Sequence, residues 1–97
     1  MIIVWGRMTA NEGDLDKLKM ISLEHVHRSR GEPGCLHHSV QIDVENPQQL
    51  VFYEEWEDMS FLQAHFKVPG SNQFIADAKK MSSSNNFDMK MYEASLL

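Results

Sequence analysis

Apolar positions along the chain fall into short runs with two different periods, and polar or Gly/Pro-containing breaks separate them. Ile2 to Met8 is rich in β-branched and aromatic residues and reads as a strand. After the loop Thr9–Gly13, Asp14 stands where a helix cap belongs. Leu15, Leu18, Ile21 or Ser22, and Val26 then keep a helical period, and Gly31, Pro33 and Gly34 stop it near Arg30. Cys35 to Asp43 alternates, with Leu36, His38, Val40 and Ile42 on the apolar face and His37, Ser39, Gln41 and Asp43 on the other. Glu45-Asn46-Pro47-Gln48 turns the chain, and Leu50 to Glu57 returns as a hairpin partner. Asp58 caps a second helix from Met59 to about Val68, ended by Pro69-Gly70. A third helical piece starts at Ser71 or Asn72 and runs through Met81, with Phe74, Ala78 and Met81 on one side. Ser82–Asn86 is a polar loop, and Phe87 to Tyr92 is a final strand with Phe87, Met89 and Met91 on one face.

The order β-α-β-β-α-β predicts an α+β, ferredoxin-like fold: two right-handed crossovers joined by a hairpin, giving a four-stranded antiparallel sheet with helices on one side. Two strands are apolar on both faces: the first, with Ile2 and Val4 against Ile3 and Trp5, and the third, with Leu50, Phe52 and Trp56 against Val51 and Tyr53. Such strands belong in the middle of a sheet. The spacing therefore predicts the strand order 4-1-3-2. Helices cover only one face, so an identical sheet from a second subunit is the simplest cover for the other, and a homodimer is expected.

Composition narrows the partners. Ninety-seven residues make one domain, 1–97, and the net charge of −5 without a basic patch disfavours nucleic acid and anionic membranes. No run approaches the roughly 20 apolar residues of a membrane span. The single Cys35 excludes an intrachain disulfide and suits a reducing cytoplasm.

Glu32-Pro33-Gly34-Cys35-Leu36 after the first helix, Tyr53-Glu54-Glu55-Trp56-Glu57-Asp58 ending the third strand, and Ala64-His65 on the next helix resemble the antibiotic biosynthesis monooxygenase (ABM) domain family, as does the Asn11-Glu12-Gly13 loop. The resemblance spans the chain and implies a dimeric α+β barrel. It also implies a range of activities: oxidation of hydroquinones or polycyclic anthrones without metal or flavin, haem breakdown, isomerisation of a phosphorylated sugar, or none known. Fold membership does not choose among these. Many relatives carry Thr-Pro-His-Phe after the second helix, whereas this chain reads Val68-Pro69-Gly70-Ser71-Asn72-Gln73-Phe74.

Cofactor-free oxygenation needs a base, a hydrogen bond to the substrate oxyanion and a dry cavity. Histidine is the suitable base near neutral pH. His65 holds the position resembling the family's helix histidine. It would act as base or proton donor, or else as a structural residue tying its helix to the loop at Pro69. His38 lines the pocket or is a satisfied interior histidine. Trp56, Phe52 and Glu54 share a face and would form an aromatic wall with one carboxylate; the other reading makes Trp56 core and pairs Glu54 with an Arg or Lys. Phe61 and Phe66 are further candidate walls. Trp5 and Tyr53 fit core or dimer interface, Arg7 an anionic ligand or a strand carboxylate, and Met20, Met81, Met89 and Met91 a lining or core filling. Nothing beside Cys35 suggests a lowered pKa. The histidine pairs His37/His38 and His25/His27 each diverge within their element, so no metal site is expected.

The leading expectation is a dimeric monooxygenase with no cofactor, acting with molecular oxygen on a hydroquinone-like or polycyclic phenolic molecule. The alternative is a non-catalytic dimeric small-molecule binding module. Haem breakdown is disfavoured because Ile2–Met8 lacks the asparagine such relatives use, and sugar-phosphate isomerisation because Arg7 is alone.

Overall fold

The computed structural model of the chain describes residues 1–83 and 88–97. The elements are β1 (Ile2–Thr9), α1 (Leu15–Ser29), β2 (Cys35–Asp43), β3 (Asn46–Trp56), α2 (Met59–Phe66), α3 (Pro69–Met81) and β4 (Asp88–Glu93). The sheet order is β2-β3-β1-β4, all antiparallel, as the two-faced apolar character of β1 and β3 predicts. Phe87, expected in the last strand, and the loop residues 84–86 lie outside the described residues.

The helices cover the sheet face that carries Ile2, Val4 and Met8 of β1 and Leu50, Phe52, Glu54 and Trp56 of β3, all buried. Ile3, Trp5, Val51 and Tyr53 on the other face are only half-buried. The apolar core divides into two groups. One joins Met8, Leu18, Val26, Leu50, Phe52, Phe74 and Ala78; the other joins Ile2, Val4, Trp56 and Leu62. Between them lie side chains that are buried but not apolar: Ser22, His25, His38, Glu54 and His65. A core interrupted by polar groups costs stability unless they find partners.

Several local expectations change. Leu36 does not share the His38 face, because a bulge between Cys35 and His37 inserts it as an extra residue and leaves it half exposed. The hairpin is tighter than expected: β3 already begins at Asn46, which pairs with Asp43. Pro69 opens α3 rather than merely ending α2, which stops at Phe66; a proline at the first helical position loses no hydrogen bond. Asp58 accepts from the backbone N–H groups of Ser60 and Phe61, whereas Asp14 holds the cap position of α1 without a side-chain bond.

The connection from α1 to β2 is fixed by Gly34, at φ +78°, under the ring of Phe61. A Cβ there would sit 2.1 Å from Phe61 Cγ, inside any contact distance. Gly13 has φ +85° with nothing within 4 Å of a built Cβ. Gly13→Ala should therefore cost only the backbone penalty, about 1 kcal/mol. Gly34→Ala should cost about 2–4 kcal/mol, because the same penalty adds to overpacking. Urea unfolding of the two variants checks this; equal losses would show that the Phe61 contact does not constrain the turn.

Candidate functional site

Three histidines from three elements converge in the polar gap: His25 from α1, His38 from β2 and His65 from α2. His25 sits seven residues after Leu18 and three after Ser22, both fully buried, so it falls on the inward stripe of α1. Its ring stacks on Phe74, centroids 4.2 Å apart and planes 10° from parallel. Arg28 Nη2 donates to His25 Nδ1 at 2.6 Å. Because a guanidinium only donates, neutral His25 carries its proton on Nε2.

His65 is 4 % exposed. Its Nδ1–H donates to Glu32 Oε1 at 2.8 Å, and the other Glu32 oxygen, Oε2, is buried with no hydrogen-bond partner among the described residues. The structural role expected for His65 is thus real but differently placed. Its ring ties α2 to the loop after α1, not to the loop at Pro69. The bond fixes the neutral tautomer and leaves Nε2 with a free lone pair.

Glu54 is a buried carboxylate. Trp56 Nε1 donates to its Oε1 at 2.9 Å. His38 Nε2 approaches the same oxygen at 3.3 Å, but without hydrogen-bond angles, so the contact is electrostatic. Burial pushes the Glu54 carboxyl up, yet the His38 and Trp56 contacts, aided by His65, outweigh it and hold the group below its usual value. Burial, reinforced by His38, His65 and Arg28, lowers His25 from an ordinary 6.5 to about 3. Burial, followed by the Glu54 and Glu32 carboxylates, raises the Cys35 thiol, consistent with packing rather than nucleophilic chemistry.

Beside this cluster lies an apolar cavity of about 80 Å³. Val4, Gly6 and Met8 of β1 and Phe52 and Glu54 of β3 line its sheet side, and Ser71, Asn72, Phe74 and Ile75 its α3 side. His25 and His65 reach it from α1 and α2, and the half-exposed Phe66 and Met89 stand at its mouth. Ser71 Oγ is buried there with no partner among the described residues. Of the sequence candidates, His65, Phe52, Glu54, Phe66, Arg7 and Met89 line this space.

Trp56, Phe61 and His38 do not line it. Trp56, with no exposed surface, fills the core against Ile2, Val4 and Leu62, and Phe61 packs on Gly34 and that same group. His38 is 1 % exposed and sits behind Glu54 on the neighbouring strand. Glu54 itself pairs with Trp56 and His38, not with an Arg or Lys. His25, Ser71 and Asn72 complete the lining and were not among the candidates. Only His25 carried a legible signal, its place on the buried stripe of α1. Arg7 pairs with Asp88 at 3.6 Å and lies 5.5 Å from the Trp5 ring centroid.

A model of the antibiotic biosynthesis monooxygenase family matches residues 1–77. The chain belongs to that family. Solved structures give the same fold. A Deinococcus radiodurans protein provisionally assigned as an antibiotic biosynthesis monooxygenase superposes with TM-score 0.93 at 24 % identity, covering 100 % of this chain and 95 % of that one. A conserved protein from Methanosarcina mazei superposes with TM-score 0.90 at 18 % identity, covering 97 % and 92 %. An uncharacterised Synechocystis protein is 27 % identical over 74 residues, which are 76 % of this chain and 50 % of that relative; the match therefore spans half of the relative's length. Among the described residues, no helix is long and apolar enough to cross a membrane.

The buried cluster makes stability sensitive to acid. Below pH 6.5 the unfolded chain binds a proton at His25 that the folded chain refuses until about pH 3. Folding stability should therefore fall between these limits, by about 1.4 kcal/mol per pH unit from this residue at most. Glu54 adds to the loss at the acid end, since a depressed carboxyl stabilises above its unfolded value and stops doing so below its folded one. Urea midpoints measured from pH 7 to 4 should decline more steeply for the parent than for His25→Gln. Parallel declines would contradict burial of a neutral His25.

Proposed function

We propose that the chain is a cofactor-independent monooxygenase that oxidises a hydroquinone-like or polycyclic phenolic molecule with molecular oxygen. The observation that carries this reading is His65 at the wall of an apolar cavity, its Nδ1–H bound to Glu32 and its Nε2 lone pair free. Nε2 takes the proton of a substrate hydroxyl, and the buried Glu32 carboxylate stabilises the imidazolium that results. The electron-rich anion reduces oxygen, and a carbon–oxygen bond forms at the activated ring carbon. The oxygenated carbon gives up its hydrogen as a proton, the O–O bond breaks, and with the proton returned by His65 the departing oxygen leaves as water while the other oxygen atom stays in the product. All four electrons come from the substrate. Ser71 Oγ, buried and unpartnered on the α3 side, donates to a second substrate oxygen. The apolar walls limit water at the reacting anion.

The cavity is smaller than the roughly 150 Å³ that holds a benzene ring, so a phenolic ring displaces Phe66 and Met89 at the mouth. A non-catalytic binding module is the second reading. It is favoured by the Val68–Phe74 segment, which departs from the Thr-Pro-His-Phe of many relatives and puts Ser71 and Asn72 at the cavity.

The half-buried outer sheet face of Ile3, Trp5, Val51 and Tyr53 supports a homodimer packed sheet to sheet, and the lone Cys35 fits a cytoplasmic setting. Trp5→Glu should shift a dimer to monomer in light scattering; a parent that is already monomeric would remove the dimer from this reading.

Oxygen uptake with a reduced naphthoquinol, in chelator-treated buffer without flavin, tests the activity. His65→Ala should lose about 10²–10⁴-fold in rate, the span of a general base. Glu32→Gln should lose less, because the amide oxygen can still accept from Nδ1–H although the charge is gone. Uptake by His65→Ala at the parent rate would remove the base. Saturable thermal stabilisation of the parent by the quinol without any uptake would favour the binding module.

A further inference from the structure

The histidine cluster has a second chemical capacity that acid–base catalysis does not use. One ring nitrogen from each of His25, His38 and His65 lies within 4.8 Å of the other two. A triangle of that edge has its centre about 2.8 Å from each corner, and zinc–imidazole bonds are about 2.0–2.1 Å. Moving each ring inward by about 0.7 Å closes the difference, a shift that small side-chain rotations supply. His38 is 1 % exposed, and neither of its ring nitrogens has a hydrogen-bond partner among the described residues. A buried imidazole without partners is costly, and a cation at the centre of the triangle would take up one of its lone pairs. The surrounding groups match a metal's outer shell. Glu32 fixes His65 Nδ1 and turns Nε2 inward, the carboxylate–histidine arrangement that orients metal ligands. Glu54 Oε1 lies 3.3 Å from His38 Nε2 and supplies a carboxylate on the cavity side.

We propose that His25, His38 and His65 form a binding site for a divalent transition ion of the zinc class, with Glu54 beside them as the carboxylate that balances its charge. Three neutral nitrogens and one carboxylate suit an ion of borderline softness better than calcium or magnesium, which take oxygen. Arg28 opposes binding, because its contact with His25 Nδ1 keeps the proton on Nε2. The ion must displace that proton or the guanidinium, so Arg28→Gln should bind more tightly than the parent. Occupancy takes the His65 Nε2 lone pair, so the metal-bound chain cannot abstract a substrate proton. This last consequence, unlike the binding, rests on the role proposed for His65.

Cobalt(II) titration of the tag-free, chelator-treated chain tests the site. One equivalent per chain should give the intense visible bands of a tetrahedral nitrogen–oxygen site, and zinc should abolish them. Glu32→Gln should weaken binding roughly 10–100-fold and His38→Gln more, while His37→Gln and His27→Gln, both exposed, should leave it unchanged. Circular dichroism confirms that each variant is folded. Zinc-dependent thermal stabilisation of the parent, lost in His38→Gln, gives a second readout. Absence of both the bands and the stabilisation in the parent would overturn the site, as would equal affinity in His38→Gln and His37→Gln. Stoichiometric zinc that binds while oxygen uptake continues unchanged would leave the site and overturn the competition for His65.

Discussion

The Glu32 carboxylate and the His65 ring are 33 residues apart in sequence and 2.8 Å apart in space. This contact locks the loop after α1 against α2, selects the histidine tautomer and fills one side of the polar gap that separates the two apolar groups of the core. It is also exacting. Two polar groups leave water for it, and one Glu32 oxygen stays without a partner among the described residues. Removing one member of such a pair leaves the other buried and uncompensated, a more damaging change than replacing both. The turn at Pro33-Gly34 is therefore as much part of the site as the histidine. Gly34 allows the chain to pass beneath Phe61, and this sets the height at which Glu32 meets α2.

The sheet gives this arrangement its floor. β3 puts Leu50, Phe52, Glu54 and Trp56 on the helix side, so one strand contributes core, cavity wall and buried carboxylate in alternation. Trp56 makes the carboxylate tolerable by donating to it from within the core. Core and site thus share hydrogen bonds, and changes at Trp56 should affect both. The opposite sheet face, left half-buried by its own chain, is the natural place for a second subunit under the proposed dimer.

Much of the fold was legible because it rests on local periodicity. The two-faced apolar character of β1 and β3 fixed the order β2-β3-β1-β4, and Asp58 announced its helix. The misread features depend on contacts between elements. Leu36 looks like part of a regular alternation, and only pairing with β3 reveals the bulge. Pro69 looks like a stop, and only the path of the chain makes it a start. Trp56 and Phe61 are aromatic and near His65, but sequence spacing does not show that neighbouring layers already enclose them. The histidines teach the same lesson in reverse. Each adjacent pair diverges within its own element, as the spacing requires, yet one member from α1, one from β2 and one from α2 meet in the interior. The family match and the close superpositions establish the frame, while the proposed chemistry rests on residues such as Glu32, His65, Ser71 and His38 in this chain.

The central claim is that neutral His65 carries its proton on Nδ1, toward Glu32, and offers a free Nε2 to the cavity. Nitrogen-15 NMR of the His65 ring, at a pH where the ring is neutral, reads the tautomer directly. The account predicts a protonated Nδ1 and an unprotonated Nε2, with this preference weakened in Glu32→Gln. A neutral His65 protonated on Nε2 would contradict it, because that ring has no lone pair to accept a proton from a ligand.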